Sequence, residues 1–186
     1  LTRTDEIVVM KNIAQVTKDN LIGFVDFFGH LVIKPKFQRA FDVKGTNYWI
    51  VNEADKWGLI NPVSNKLIQF DLKYSSLNTL ESAFYGFGNP NRYIGSINGL
   101  YGIVDSLENV VIPFEYLELD PQKDMYRAKK ANYWGFIDSL NNIIIPFIFD
   151  ECGHFYDNDL APAKKVRWGL INRKGNFVIQ PKYDDM

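Results

Sequence analysis

The chain reads WGLIN at residues 168–172 and VIQPKY at residues 178–183. The same combination of a large apolar residue, a glycine and two further apolar residues recurs along the sequence, at Gly23, Gly58, Gly102, Gly135 and Gly169. These glycines are 35, 44, 33 and 34 residues apart. Because self-similarity with a period of about 20–50 residues marks stacked supersecondary units, the repeat decides the fold class before any other feature.

Further positions keep the same register after each glycine. The third residue is Asp or Asn, the tenth is Ile in all five copies, and the fourteenth is aromatic in every copy except the second, which has Leu72. An Asp or Asn side chain can end a strand by accepting hydrogen bonds from the backbone of the following turn. Prolines stand near the twelfth position in four copies, and we expect them to end the third strand because proline donates no ladder hydrogen bond. They are Pro35, Pro113, Pro146 and Pro181.

Each copy therefore predicts three strands joined as an antiparallel β-meander. A first strand and a hairpin turn lead to the strand that contains the repeat glycine, which we call the Trp-Gly strand in all five copies. A polar turn then leads to a Val/Ile strand. The glycine inside the second strand indicates a bulge or the close approach of another group. We predict an all-β fold for residues 1–186, a single domain in which antiparallel β-hairpin repeats of about 34 residues stack as a short array. The alternative is a closed propeller- or barrel-like ring in which the two chain ends share one unit.

The second copy is the least regular. It has no proline at the expected place, it lacks the terminal aromatic, and the long spacing of 44 residues follows it. This spacing predicts an irregular insertion at about residues 78–98 between the second and third copies.

The pattern resembles the WG β-repeat family, with about five copies over roughly residues 14–186. The best copy here is the stretch quoted first, with Trp168, Gly169, Pro181 and Tyr183 at the family's motif positions. The resemblance implies an all-β repeat array, common in bacterial proteins and often exported. It carries no catalytic residues to transfer.

Composition narrows the function classes. The 21 Lys and Arg balance 22 Asp and Glu, so the charge gives no argument for nucleic-acid or anionic-membrane binding. No run of 18 apolar residues is present, and the single cysteine excludes an internal disulfide and a cysteine-based zinc site. We predict no catalytic residue, no metal and no cofactor. The compartment stays open; export after removal of a signal peptide is one alternative, since the first residue is Leu1.

Aromatic residues outside the repeat positions are the predicted binding residues. Departures from a repeat tend to lie in loops on the binding face, and exposed aromatic side chains are common interface anchors. Tyr48 and Trp49 follow the first copy, and the insertion carries several aromatics with one arginine. The candidates in the insertion are Phe84, Tyr85, Phe87, Arg92 and Tyr93.

These features favour a non-enzymatic repeat scaffold that binds another protein through irregular aromatic loops. A glycan- or cell-wall-binding module is one alternative, because aromatic rings stack on sugar faces. A passive spacer in a longer protein is another. An enzyme centred on Cys152 and His154 is a further alternative, which requires a reactive thiol at neutral pH.

Overall fold

The computed structural model describes residues 9–10, 13–63, 73–80 and 92–185. These residues form β-strands joined by turns and short connections, and the predicted all-β class is confirmed. Within the same ranges, no helix is long and apolar enough to cross a membrane.

The described strands form five antiparallel sheets, which we label A to E in chain order. Sheet A contains β1 (Val9–Met10), β2 (Ile13–Lys18), β3 (Leu21–Asp26) and β4 (Leu31–Phe37). Sheet B contains β5 (Arg39–Asp42), β6 (Trp49–Glu53) and β7 (Lys56–Ile60). Sheet C contains β8 (Ser76–Thr79), β9 (Arg92–Ile97), β10 (Leu100–Asp105) and β11 (Val110–Tyr116).

The last two sheets are the most regular. Sheet D contains β12 (Glu118–Pro121), β13 (Tyr126–Lys130), β14 (Tyr133–Ile137) and β15 (Ile143–Phe149). Sheet E contains β16 (Glu151–Cys152), β17 (Leu160–Lys165), β18 (Arg167–Asn172) and β19 (Phe177–Tyr183). The predicted meander supplies the last three strands of each four-stranded sheet. The first strand is a short edge strand that the sequence pattern did not indicate.

The prolines lie inside the third strand of the meander and do not end it, so this expectation was wrong. In sheet D, Phe136 pairs with Ile145 and Trp134 pairs with Phe149, so three residues of β15 stand opposite Gly135 alone. The same bulge occurs in sheets A, C and E. β15 is an edge strand of its sheet, and proline is tolerated at edges and bulges.

The bulge explains the repeat glycine. A Cβ atom on Gly135 would lie 2.7 Å from the Ile145 carbonyl oxygen and 3.0 Å from the Phe147 nitrogen. The corresponding carbonyl is equally close at Gly23 and Gly102, at 2.6 and 2.7 Å. The predicted close approach is confirmed, and the approaching group is the backbone of the bulged strand.

The second copy keeps its terminal aromatic after all. Tyr74 pairs with Trp57 through two backbone hydrogen bonds, of 2.9 and 3.3 Å, at the place where Tyr116 pairs with Tyr101 in sheet C. The expected position, Leu72, was wrong because the ungapped register missed two extra residues before the aromatic. Leu72 itself lies outside the described residues.

The sheets stack on one another in chain order. We call the side of each sheet that carries the residue after the repeat glycine face 1, and the opposite side face 2; side chains alternate between them along a strand. Four core clusters each join face 1 of one sheet to face 2 of the next. In the cluster between sheets D and E, for example, Trp134 and Phe136 pack with Ala161 and Ile171. The described residues therefore form the predicted array of hairpin repeats, and no sheet among them closes into a barrel.

Polar contacts support this stacking. The Tyr74 hydroxyl donates to Glu108 Oε1 at 2.9 Å, and the Tyr116 hydroxyl donates to Asn141 Oδ1 at 2.6 Å. Both tyrosines are terminal aromatics, and both acceptors lie at the sixth position after the glycine of the following sheet. Buried aromatic residues thus find their hydrogen-bond partner in the neighbouring sheet.

Candidate functional site

A row of exposed apolar side chains lies at the turns that follow the Trp-Gly strands. The fifth residue after the glycine is apolar in four copies, and we call these four residues the turn row. They are Phe28 (82% exposed), Val63 (46%), Leu107 (65%) and Leu140 (69%). Lys174 takes this place in sheet E. Because the sheets stack in one register, equivalent turns lie along the same side of the array.

The first residues of the following strands extend this apolar surface. Leu31, Val110 and Ile143 are 57%, 59% and 61% exposed, and each lies three residues beyond a member of the turn row. Phe27 adds a further ring in sheet A, 77% exposed. Scattered apolar residues are ordinary on protein surfaces, whereas contiguous patches mark interaction sites.

The turns that carry the row are held by the repeated Asp or Asn. In sheet D, Asp138 Oδ1 accepts hydrogen bonds from the backbone nitrogens of Leu140 and Asn142, both at 2.8 Å, and Oδ2 accepts from Asn142 Nδ2. Asp26 and Asp105 make the same pair of backbone contacts, and Asn172 makes them in sheet E. The predicted turn-capping role is confirmed, and each cap fixes the tip residue with its side chain outward.

Hydrogen bonding lowers the pKa of all three capping aspartates. At Asp26 the backbone hydrogen bond from His30 is the largest cause. At Asp105 and Asp138 partial burial is the largest single influence and acts to raise the pKa, but the hydrogen bonds from Asn109 and Asn142 and from the turn backbone together outweigh it. The carboxylates are therefore structural anions of the turns.

Two of the predicted binding residues are buried. Trp49 is 6% exposed and packs edge-on against Phe24 of the preceding sheet, with ring centroids 5.0 Å apart. Tyr93 is 1% exposed and belongs to the core between sheets B and C. Both pair with the residue two positions after a repeat glycine, Trp49 with Ile60 and Tyr93 with Val104. They are repeat positions of face 2, so the expectation that their rings are exposed was wrong.

The remaining predicted binding residues lie in different surroundings. Tyr48 is half-buried beside the same core. Arg92 donates from Nη1 to the Ser139 carbonyl oxygen at 2.9 Å and so connects sheet C to a turn of sheet D. Phe84, Tyr85 and Phe87 lie outside the described residues, and their binding role stays a prediction.

Cys152 lacks the properties of a nucleophile. Its side chain is 5% exposed, and burial raises the pKa of the thiol to about 12. His154 Nδ1 accepts a hydrogen bond from Gln122 Nε2 at 2.9 Å. A reactive cysteine needs a lowered pKa and access to solvent. In the described part of the chain, no group of three or more His, Cys, Asp or Glu is placed to hold a metal ion.

A cleft of about 380 Å³ lies between sheets B and C. Phe41 and Trp57 stack on one side of it, with ring centroids 6.1 Å apart and planes 18° apart. Asn78 and Thr79, from the start of the predicted insertion, line the other side. Among the described residues, Asp42 Oδ2 is buried without a hydrogen-bond partner in this cleft.

The turn row was missed by reasoning from the sequence. The signal was available, since an apolar residue recurs at the fifth position inside an otherwise polar turn such as Ser106-Leu107-Glu108-Asn109. Repeated apolar residues suggest a core position, and only the geometry of the turn shows that these side chains point to solvent.

A search of protein families matches the WG containing repeat at residues 22–57, 101–134, 134–165 and 168–186, more than half of the chain. The chain belongs to the WG-repeat family. The unmatched stretch between the first two segments contains most of the irregular second copy. No curated protein is similar enough to match the sequence.

Among solved structures, the WD40 domain of Pan2 from Neurospora crassa is similar to this WG-repeat chain, with a TM-score of 0.39 and 12% sequence identity. The match covers 96% of this chain and 65% of that structure.

Proposed function

We propose that this WG-repeat chain is a non-enzymatic scaffold that binds another protein through the turn row. The observation that carries the proposal is the strong exposure of Phe28, Leu107 and Leu140 at one repeat position. Exposed leucine and phenylalanine have no role in the core, and a regular row of them suits a partner surface. The burial and raised pKa of Cys152 support a function without chemistry at that thiol.

The spacing of the row favours an amphipathic helix as the bound element. Stacked sheets lie about 10 Å apart, so neighbouring members of the row are expected about 10 Å apart. A helix presents residues i and i+7 on one face at about 10.5 Å. An extended strand covers about 10 Å in three residues, but residues i and i+3 point to opposite faces. The helix therefore matches both the distance and the direction.

The test is capture of a partner from the source cells with matched variants. Leu107→Ser combined with Leu140→Ser removes two members of the row without touching the core. Val166→Ser is the control, because Val166 is 83% exposed and lies in a hairpin turn between β17 and β18. Circular dichroism verifies the fold of each variant before capture.

We expect the wild type and Val166→Ser to retain the same protein and the double variant to lose it, with at least about a tenfold loss for two buried leucine contacts. Equal retention by all three proteins contradicts the proposed surface. Equal loss from Val166→Ser and the double variant also contradicts it, since the effect is then unrelated to the row.

The cleft at Phe41 supports glycan binding as a second candidate. Stacked aromatic rings beside Asp, Asn and Thr side chains provide the apolar face and hydrogen-bonding groups that a sugar needs. Phe27 and Phe28, by contrast, meet at 82° and form no flat platform. Calorimetric titration with soluble cell-wall oligosaccharides, wild type beside Phe41→Ala, tests this candidate. If the wild type binds an oligosaccharide and Phe41→Ala does not, the result supports glycan binding in this cleft. A wild type that shows no heat of binding with any of the oligosaccharides contradicts it.

A further inference from the structure

The outer face of sheet E is a core face without a neighbour among the described residues. Tyr183 is 42% exposed, whereas the terminal aromatics of the other four sheets are at most 2% exposed. These are Phe37, Tyr74, Tyr116 and Phe149. Leu170 is also only partly buried, although the residue after the glycine is at most 1% exposed in sheets A to D. Face 1 of sheet E thus has the residues of an internal interface.

Face 2 of sheet A is the matching open face at the other end. Val25, Ala14 and Val16 are each partly exposed. Their equivalents in sheet E, Ile171, Ala161 and Ala163, are fully buried against sheet D. Every one of the four clusters uses face 2 of its second sheet, and none of those described uses face 2 of sheet A.

We propose that face 1 of sheet E binds face 2 of sheet A in a second copy of this chain. The contact continues the interface that already joins consecutive sheets. Because the two faces differ, a pair of chains keeps one free face of each kind, one on each chain. Such a head-to-tail contact generates a ring or an open filament.

The residues on both faces reproduce the interface between sheets D and E. Face 1 of sheet D carries Trp134 and Ile145, and face 1 of sheet E carries Trp168 and Ile179 at the same positions. On the opposing side, the set Ala161, Ala163 and Ile171 corresponds to Ala14, Val16 and Val25. In both cases a tryptophan face meets a face of alanine and other aliphatic side chains of similar total size, which permits close packing.

A turn glycine gives independent support. A Cβ atom on Gly175 of sheet E would lie 2.7 Å from Ile145 Cγ2 of sheet D, so a side chain at this position would press against the interface. Sheet A also has glycine at the equivalent position, Gly29, but no heavy atom lies within 4 Å of a Cβ built on it. We expect Ile179 of a second copy to fill that space, as Ile145 does beside Gly175.

One pair of charges at the edge of the proposed contact is unfavourable. Between sheets A and B the corresponding pair is attractive, with Lys36 Nζ 2.9 Å from Glu53 Oε2. The equivalent residues across the proposed contact are Lys182 and Lys18, which have like charges. Replacing Lys18 by Glu would recreate the attractive pair. An exposed pair contributes little, so we expect Lys18→Glu to tighten association by about two- to fivefold.

Sedimentation velocity over a micromolar concentration series tests the proposal. Tyr183→Glu blocks face 1 of sheet E, and Val16→Glu blocks face 2 of sheet A. Val178→Glu is the control, because Val178 is 57% exposed and points to the other side of β19 from Ile179. Circular dichroism confirms that each variant is folded, and Lys18→Glu supplies a variant that leaves the core residues unchanged.

We expect the wild type and Val178→Glu to associate with rising concentration and each face variant alone to stay monomeric. A mixture of Tyr183→Glu with Val16→Glu should form dimers and nothing larger, because each variant retains one competent face. A monomeric wild type at every concentration overturns the proposal. Association that survives both face variants, or a mixture that remains monomeric, overturns it as well. Loss of the partner-binding turn row would change none of these results, so the two proposals fail separately.

Discussion

Gly135→Ala tests the physical reason for the repeat motif. The new methyl group would lie 2.7 Å from the Ile145 carbonyl oxygen, 3.0 Å from the Phe147 nitrogen and 3.0 Å from Phe147 Cδ1. Two of these atoms belong to the backbone of the bulge, so no rotation of a side chain removes the clash. The bulge must shift or the pairing with β14 must weaken.

The expected cost follows from two opposing effects. Overpacking a rigid site costs about 1–3 kcal/mol, and a backbone clash favours the upper end of that range. Replacing glycine by alanine also stabilises the folded state by about 0.4–1 kcal/mol, because alanine lowers the conformational entropy of the unfolded chain. The net loss in the free energy of unfolding is about 2 kcal/mol. For a chain of this size, that lowers Tm by about 4–8 °C.

Urea denaturation followed by circular dichroism measures the loss. Gly45→Ala is the control, since Gly45 has φ of 74° and no heavy atom within 4 Å of a Cβ position. There the left-handed conformation costs about 1–2 kcal/mol and the entropy gain offsets part of it, leaving a smaller net loss. A Gly135→Ala protein as stable as the wild type would refute the reasoning, because the Cβ position would then be free.

Four further predictions concern individual contacts. Asp138→Asn should preserve stability at neutral pH, as Asn172 does in sheet E, whereas Asp138→Ala should cost about 1 kcal/mol in urea denaturation. The folded-state pKa values of the three capping aspartates are lowered, so their stabilisation is present above the unfolded pKa near 3.8. This stabilisation should be lost as pH falls through the folded-state pKa values. Comparing the stability of the wild type and of the triple variant Asp26→Asn, Asp105→Asn and Asp138→Asn over an acid pH series measures the loss. Tyr116→Phe should cost about 1 kcal/mol alone but little when combined with Asn141→Gly, because Phe149 and Gly175 occupy the equivalent positions in sheets D and E; a double-mutant cycle gives the coupling. Native Cys152 should resist iodoacetamide at neutral pH and react only on unfolding, and rapid native labelling would contradict its buried position.

Much of the fold could be predicted because the repeat is encoded by backbone requirements. The glycine, the capping Asp or Asn and the Val/Ile strand each have one physical role that recurs in sheets A, C, D and E. The error over the prolines has a physical source. Proline removes a ladder donor, but at a bulge on an edge strand no ladder bond is required, so Pro146 lies within β15.

The candidate site was harder to predict because exposure depends on stacking. Trp49 resembles a loop aromatic in the sequence, yet its pairing with Ile60 places it on face 2, against Phe24 of sheet A. Leu140 resembles a core residue, yet its turn lies beyond the sheet edge. The burial of Trp49 depends on which face meets the next sheet, and the exposure of Leu140 depends on where its turn lies. Both are three-dimensional properties that the repeat period alone does not contain.

Photo-crosslinking from single positions tests the central claim, that the turn row is the protein-binding surface. A photoreactive amino acid would be introduced at Leu107, at Leu140 and, as a control, at Val166 of otherwise wild-type protein in the source cells. We expect adducts to the same protein from positions 107 and 140 and none from position 166, with the crosslinked residues of the partner lying on one face of a helix. Adducts from position 166 alone, or no adduct from either row position, would contradict it.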